Sequence, residues 1–230
     1  WRDISGKQEE KERHFSPSEY FHYKAAVLES ERYQPNQLRN SENSEKVRAK
    51  LKSLVKARTL KFEVIEKGSI LKRDQFLIER VVLRFSPRQD CPIDIITHES
   101  SKSSAKPLMI CMQGYNSGAH LSLGKTIEPV DVYKVASGSS IALDAARLGF
   151  RVISYERPCF GERREQKLHK PIPNPSVDAV FSALMVGETL IGQTVSEVSS
   201  LVDWADEEFG GLTMGIYLAG YSAAGTTALF

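Results

Sequence analysis

The spacing of apolar positions changes twice along the chain and divides it into three textures. The first is helical and polar. In "SPSEYFHYKAAVLE", Ser16 precedes Pro17 and Glu19 follows three residues later. That order predicts a capping box, in which side chains satisfy the free N–H groups of a first helical turn. "SEKVRAKLKSLVKA" gathers Val47, Leu51, Leu54 and Val55 on one helical face, with Lys46, Arg48, Lys50, Lys52 and Lys56 on the other. From Lys61 the period falls to two. "KFEVIEK", "ERVVLRF" and "IDIITHE" predict short antiparallel lead-in strands.

The third texture has continuous apolar runs separated by helical stretches. "PLMICM", "RVISYE" and "MGIYLAGY" read as strands buried on both faces of a parallel sheet. Between the first two, "SSIALDAARLGF" predicts a helix capped near Ser139 or Ser140 and ended by Gly149. Between the last two, "DAVFSALMVGETLIGQTVSEVSSLVDWADEE" is helical, with a break expected near Gly192 and an inner face of Val195, Val198, Leu201, Val202 and Ala205. Alternating strands and helices imply an α/β layer architecture with helices on both faces of a mostly parallel sheet.

Charge and cysteine count narrow the function classes. Thirty-one basic residues against 29 acidic ones leave a formal net charge of +2. Such a balance creates no field that would draw in nucleic acid or an anionic membrane. The basic face of the second helix carries no interleaved aromatic rings, so it reads as solvated rather than base-stacking. No apolar run is long enough to span a bilayer. The three cysteines, Cys91, Cys111 and Cys159, match neither a disulfide framework nor a zinc site, and Cys111 reads as a buried, inert thiol. No signal-peptide pattern is visible; the chain begins at Trp1 rather than Met, and the compartment stays open.

Candidate chemistry lies where strands give way to helices. "GYSAAG" at the end of the third apolar strand has the form of a nucleophile elbow around Ser222. There the nucleophile takes a strained conformation, so residues two positions either side must be small, as Gly220 and Ala224 are. An acyl-transfer serine needs two N–H donors for the developing oxyanion. The residue after the nucleophile, Ala223, supplies one, and a loop after an earlier strand supplies the other. "MQGYNSG" occupies that place, with the N–H of Tyr115 as the donor and Gly114 allowing close approach. "GAHLSLGKT" resembles a phosphate-binding loop, but the required first glycine position holds Ala119, with Gly118 one residue too early, and Pro129 follows soon after Gly124-Lys125-Thr126.

On these residues the chain resembles the dienelactone-hydrolase-like and acetyl xylan esterase-like branch of the α/β-hydrolases. The likeness runs from Pro107 to Phe230, through "PLMICMQGYNSGAH", "ALDAARLGFRVISYERPCFGERRE" and "GIYLAGYSAAGTTALF". The resemblance implies an α/β-hydrolase fold over 61–230 behind a helical segment, 1–60. It implies an esterase or deacetylase that uses a Ser-Asp-His triad on a small-molecule ester, with no metal and no cofactor. Ser222 falls at the nucleophile, and Tyr115 and Ala223 at the oxyanion positions. Dienelactone hydrolases proper carry cysteine where Ser222 stands. Gln113 replaces a histidine common among relatives, and Ala224 a glycine.

In such hydrolases the acid and then the histidine follow the serine. After Ser222 only "AAGTTALF" remains, and all five histidines, His14, His22, His98, His120 and His169, precede it. The expectation is that the chain is the N-terminal part of the enzyme and that the acid and base lie beyond Phe230. His120 is close enough in sequence to the oxyanion loop to reach the site, but reads more simply as a surface loop residue, as does His169. Two rival readings stay open: a non-catalytic binding protein that keeps the fold, and peptidase or lipase chemistry on the same scaffold.

Overall fold

The computed structural model describes residues 17–29, 34, 36–101, 105–115, 117–165, 176–210 and 213–230. The chain divides into two compact units, Trp1–Leu51 and Lys52–Phe230. In the first, helix α1 (Pro17–Glu29) begins at the expected proline, while its expected cap, Ser16, lies outside the described residues. Helix α2 (Ser41–Val55) follows a short 3-10 turn, Gln37–Arg39. Of the apolar face expected on α2, only Val55 is buried; Leu51 and Leu54 remain exposed.

The second unit is built on a seven-stranded sheet: β1 (Glu63–Lys67), β2 (Leu71–Arg73), β3 (Phe76–Ser86), β4 (Gln89–His98), β5 (Lys106–Met112), β6 (Arg151–Tyr155) and β7 (Thr213–Gly220). The order is β1-β3-β4-β6-β5-β7, with β2 paired to β3. The lead-in strands β1 to β4 pair antiparallel, as their alternating pattern predicts, and β4 joins β6 antiparallel. The strands of the continuous apolar runs, β6, β5 and β7, are parallel to one another.

Helices occupy both faces. On one, Val198, Leu201, Trp204 and Ala205 of α6 (Leu190–Phe209) pack against Leu108, Ile110 and Met112 of β5 and their neighbours on β3, β4 and β6. On the other, Ala142, Leu143, Ala145 and Ala146 of α4 (Ile141–Arg147) cover Cys111, Val152 and Ile96. Successive β5 residues thus serve opposite layers, and this is why the sequence there must be apolar without a gap. Cys111 is fully enclosed, and burial pushes its thiol up to about 12. β7 pairs with β5 alone among the described residues, and Met214 and Tyr217 on it are exposed.

The long helical stretch breaks earlier than expected. α5 (Val177–Met185) ends just before Gly187, whose φ of 75° favours glycine. Gly192 lies instead inside the first turn of α6, where a Cβ would sit 1.9 Å from the carbonyl oxygen of Val55. Its role is close packing rather than a break. Thr189 caps α6 by accepting a hydrogen bond from the Gly192 N–H at 3.0 Å.

Candidate active site

β7 runs into α7 (Ala223–Leu229) through a turn centred on Ser222, whose φ of 53° and ψ of −119° fall where non-glycine residues rarely sit. The turn is held by the Ala224 N–H donating to Tyr221 O at 3.1 Å and the Gly225 N–H to Ser222 O at 2.8 Å. A Cβ on Gly220 would lie 2.3 Å from Ala224 O, and Ala224 itself is fully buried. The small residues expected two positions either side are therefore required by backbone proximity. Ser222 is exposed at the turn's apex.

The loop after β5 meets this turn. A Cβ on Gly114 would stand 2.6 Å from Tyr221 O and 2.9 Å from Ser222 Cβ, so no larger residue fits without displacing backbone. The Tyr221 N–H donates to Met112 O at 3.1 Å, carrying the β5–β7 ladder up to the two loops. Gly114 is thereby held against Tyr221 and Ser222, with Tyr115 and Ala223 the residues that follow in each loop. The Tyr115 ring is half exposed and packs edge-on against buried Phe160, with centroids 5.2 Å apart; Tyr221 is exposed beside Ser222. Gln113 is buried, and its side-chain amide donates to Ser122 Oγ at 2.9 Å and to Ser139 O at 2.7 Å.

His120 is not a surface residue. Its Nε2 lies 2.9 Å from Asp131 Oδ2 and 3.3 Å from Ser117 Oγ, and Ser117 donates directly to Asp131 Oδ1 at 2.5 Å. Asp131 is fully buried in the first turn of α3 (Pro129–Ala136) and also accepts from the N–H groups of Ile127 and Glu128. Burial opposes its charge, but the Glu128 N–H, Ser117, His120 and the Ile127 N–H outweigh that and hold the carboxyl well below the usual carboxylate range. No hydrogen bond joins any described histidine (His22, His98 or His120) to Ser222. His14 and His169 lie outside the described residues. The phosphate-loop likeness also resolves: Gly124 closes a 3-10 turn, Ala119–Leu123, and its N–H is spent on Leu121 O.

A set of polar residues that no motif announced supports the site from below. Arg157, just after β6, donates through Nη1 to Gln113 O at 3.3 Å and Gly114 O at 3.2 Å. Buried Glu156 accepts from the Ala119 N–H at 3.0 Å, and a Cβ on Gly161 would lie 1.9 Å from its Oε2. Burial raises the Glu156 carboxyl to about 7, against hydrogen bonds from Ala119 and Glu162 backbone that lower it. Deeper in, Arg163 forms a two-pronged ion pair with Glu197, at 2.6 and 2.8 Å, and Glu197 also accepts from Tyr155 Oη at 2.6 Å and Gln89 Nε2 at 2.7 Å. The only sequence signal for this network is the density of charge in "YERPCFGERRE" between two buried elements.

A candidate acetyl xylan esterase from Bacteroides fragilis superposes with a TM-score of 0.71 at 16% identity, over 97% of this chain and 58% of that one. The chain has the α/β-hydrolase fold. A glucuronoyl esterase from Solibacter usitatus superposes with a TM-score of 0.50 at 11% identity, over 86% of this chain and 56% of that one. The chain thus spans a little under three-fifths of the length of these structural neighbours. No protein-family model matches the chain, and no curated protein matches it by sequence. At such identities the likeness speaks for the fold alone.

Proposed function

We propose that Ser222 is the nucleophile of a carboxylic-ester hydrolase. The observation that supports this reading is the closeness of Gly114 to Tyr221 and Ser222, where an added Cβ would lie 2.6 Å from Tyr221 O and 2.9 Å from Ser222 Cβ, together with the strained turn that carries the serine. In the proposed reaction the Ser222 hydroxyl attacks the ester carbonyl and its proton passes to a general base. The N–H groups of Tyr115 and Ala223 hold the tetrahedral oxyanion, each donor contributing about 3 kcal/mol to the transition state. The alcohol leaves with a proton, and water then releases the acid from the acyl-enzyme. His120 is not assigned as base, because its Nε2 is already engaged by Asp131 and Ser117.

The substrate class we favour is a short acyl or uronoyl ester of a carbohydrate or other small alcohol. The names of the two structural neighbours, a candidate acetyl xylan esterase and a glucuronoyl esterase, support it. The exposed rings of Tyr115 and Tyr221 suit an alcohol with one apolar face and a polar rim. Treating the full-length protein with a fluorophosphonate probe tests the reading. Labelling of wild type that disappears in Ser222→Ala is the expected result. No labelling of wild type would favour a binding protein that keeps the fold.

A further inference from the structure

The geometry points to Arg157 as a positioning residue that aims the Tyr115 N–H at the oxyanion by gripping the far side of the same peptide. This inference rests on the ester-hydrolase reading of Ser222. Arg157 Nη1 bonds the carbonyl oxygen of Gly114 at 3.2 Å, and that carbonyl belongs to the peptide whose N–H is Tyr115's. No cis peptide occurs among the described residues. In a planar trans peptide the C=O and N–H point in opposite directions, so fixing one fixes the other. A bond from a charged donor to the carbonyl also polarises the amide, which strengthens its N–H as a donor on the opposite side.

Three further contacts show a built arrangement rather than a passing one. The same Nη1 reaches Gln113 O at 3.3 Å, so two successive carbonyls are gathered by one cation. The Arg157 Cζ lies 5.2 Å from the centre of the Phe160 ring, and that ring also braces Tyr115 edge-on. The Gln113 side chain ties the start of the loop to Ser122 and Ser139. Arg157 Nε is buried with no hydrogen-bond partner among the described residues, and burial lowers the guanidinium's pKa. A charge placed here at that desolvation cost, with its reach spent on the Gln113 and Gly114 carbonyls, is poorly explained as a surface strut.

A strut and an aiming device differ in which kinetic parameter they control. If Arg157 acts on the oxyanion, its loss weakens the transition state and leaves substrate binding alone. On the full-length protein with a p-nitrophenyl ester, Arg157→Met is expected to lower kcat by about 30-fold, short of deleting a donor outright, with KM within about two-fold of wild type. Affinity for a boronic acid, which forms a tetrahedral adduct on serine, should weaken by a similar factor. Arg157→Lys, which keeps the charge but loses the planar fork, should recover kcat only in part and remain several-fold below wild type. Loss of kcat in Arg157→Met below about three-fold, or a rise in KM without a fall in kcat, overturns the proposal. If Arg157→Met does not fold, Arg157→Lys decides: a several-fold drop in kcat with matching loss of boronate affinity supports it, and unchanged kcat overturns it. Fluorophosphonate labelling separates the two levels. An unlabelled wild type defeats the hydrolase reading and this inference together. A labelled wild type with unaffected Arg157 variants defeats this inference alone.

Discussion

Two serines stand in loops at the carboxyl ends of neighbouring strands, β5 and β7. Ser117 has a histidine and an aspartate in direct contact, the three residue types of a catalytic triad. Ser222 has none of the described histidines bonded to it, yet sits exposed on a strained turn. A working relay runs in series, with the base's two ring nitrogens bonded to different partners. Around Ser117 the same nitrogen, His120 Nε2, faces both the hydroxyl and the carboxylate, and the hydroxyl already donates to Asp131. Ser117 is also buried, at 5% exposure, where no ester could approach. The cluster is therefore a brace for the first turn of α3. The contrast shows that residue types count for less than the order in which protons can pass between them.

Exchanging the two serines gives the largest expected difference. Ser222→Ala should lower ester hydrolysis by the full-length protein on the order of 10⁵-fold, as loss of a nucleophile does. Ser117→Ala should keep kcat and cost about 1 kcal/mol of stability in urea unfolding. Equal losses of activity would collapse the distinction. Next comes the carboxylate. Asp131→Asn leaves four donors facing a weaker acceptor and should cost about 3 kcal/mol, read by denaturation, with kcat per folded molecule unchanged. Its wild-type contribution is present above the unfolded pKa and is lost as the solution is acidified toward the lowered folded one, so the mutational cost should shrink at low pH.

Gly114→Ala probes the contact that joins the two loops. Its Cβ would meet backbone at 2.6 Å, and the displacement should lower kcat by about 100-fold. Wild-type kcat in this variant would remove the main support for the reading of Ser222. The smallest expected effect belongs to Glu156. Its folded pKa of about 7 lies above the ordinary 4.5, so the native state binds the proton more tightly. Stability should therefore fall by about 2 kcal/mol as pH rises from 5 to 8 and level off beyond that. Glu156→Gln should flatten the slope, and an unchanged slope would assign the pH dependence to another group.

Local pattern was enough for most of the elements and for the sharp turn at Ser222. The unbroken apolar run of β5 followed from burial on two faces, and the need for small residues at Gly220 and Ala224 from the sharpness of the turn. Glycine's two uses were harder to separate. Gly187 serves a left-handed backbone and Gly192 a close approach to Val55, and the bare letter does not distinguish them. The polar supports were hidden for another reason. Arg157 is 43 residues from Gly114 and Arg163 is 34 from Glu197, so neither pairing leaves a periodicity in the chain. The pairing of His120 leaves no local sign for the same reason, since its partner Asp131 belongs to the cap of the next helix.

One bond described above sets how steady the proposed centre can be. Because Tyr221 docks on the carbonyl of Met112, the turn that carries Ser222 and the loop that carries Gly114 hang from adjacent rungs of one ladder. When that part of the sheet flexes, both are carried along together. Vibration of the scaffold then displaces the two loops as a pair, and their mutual spacing varies less than their position.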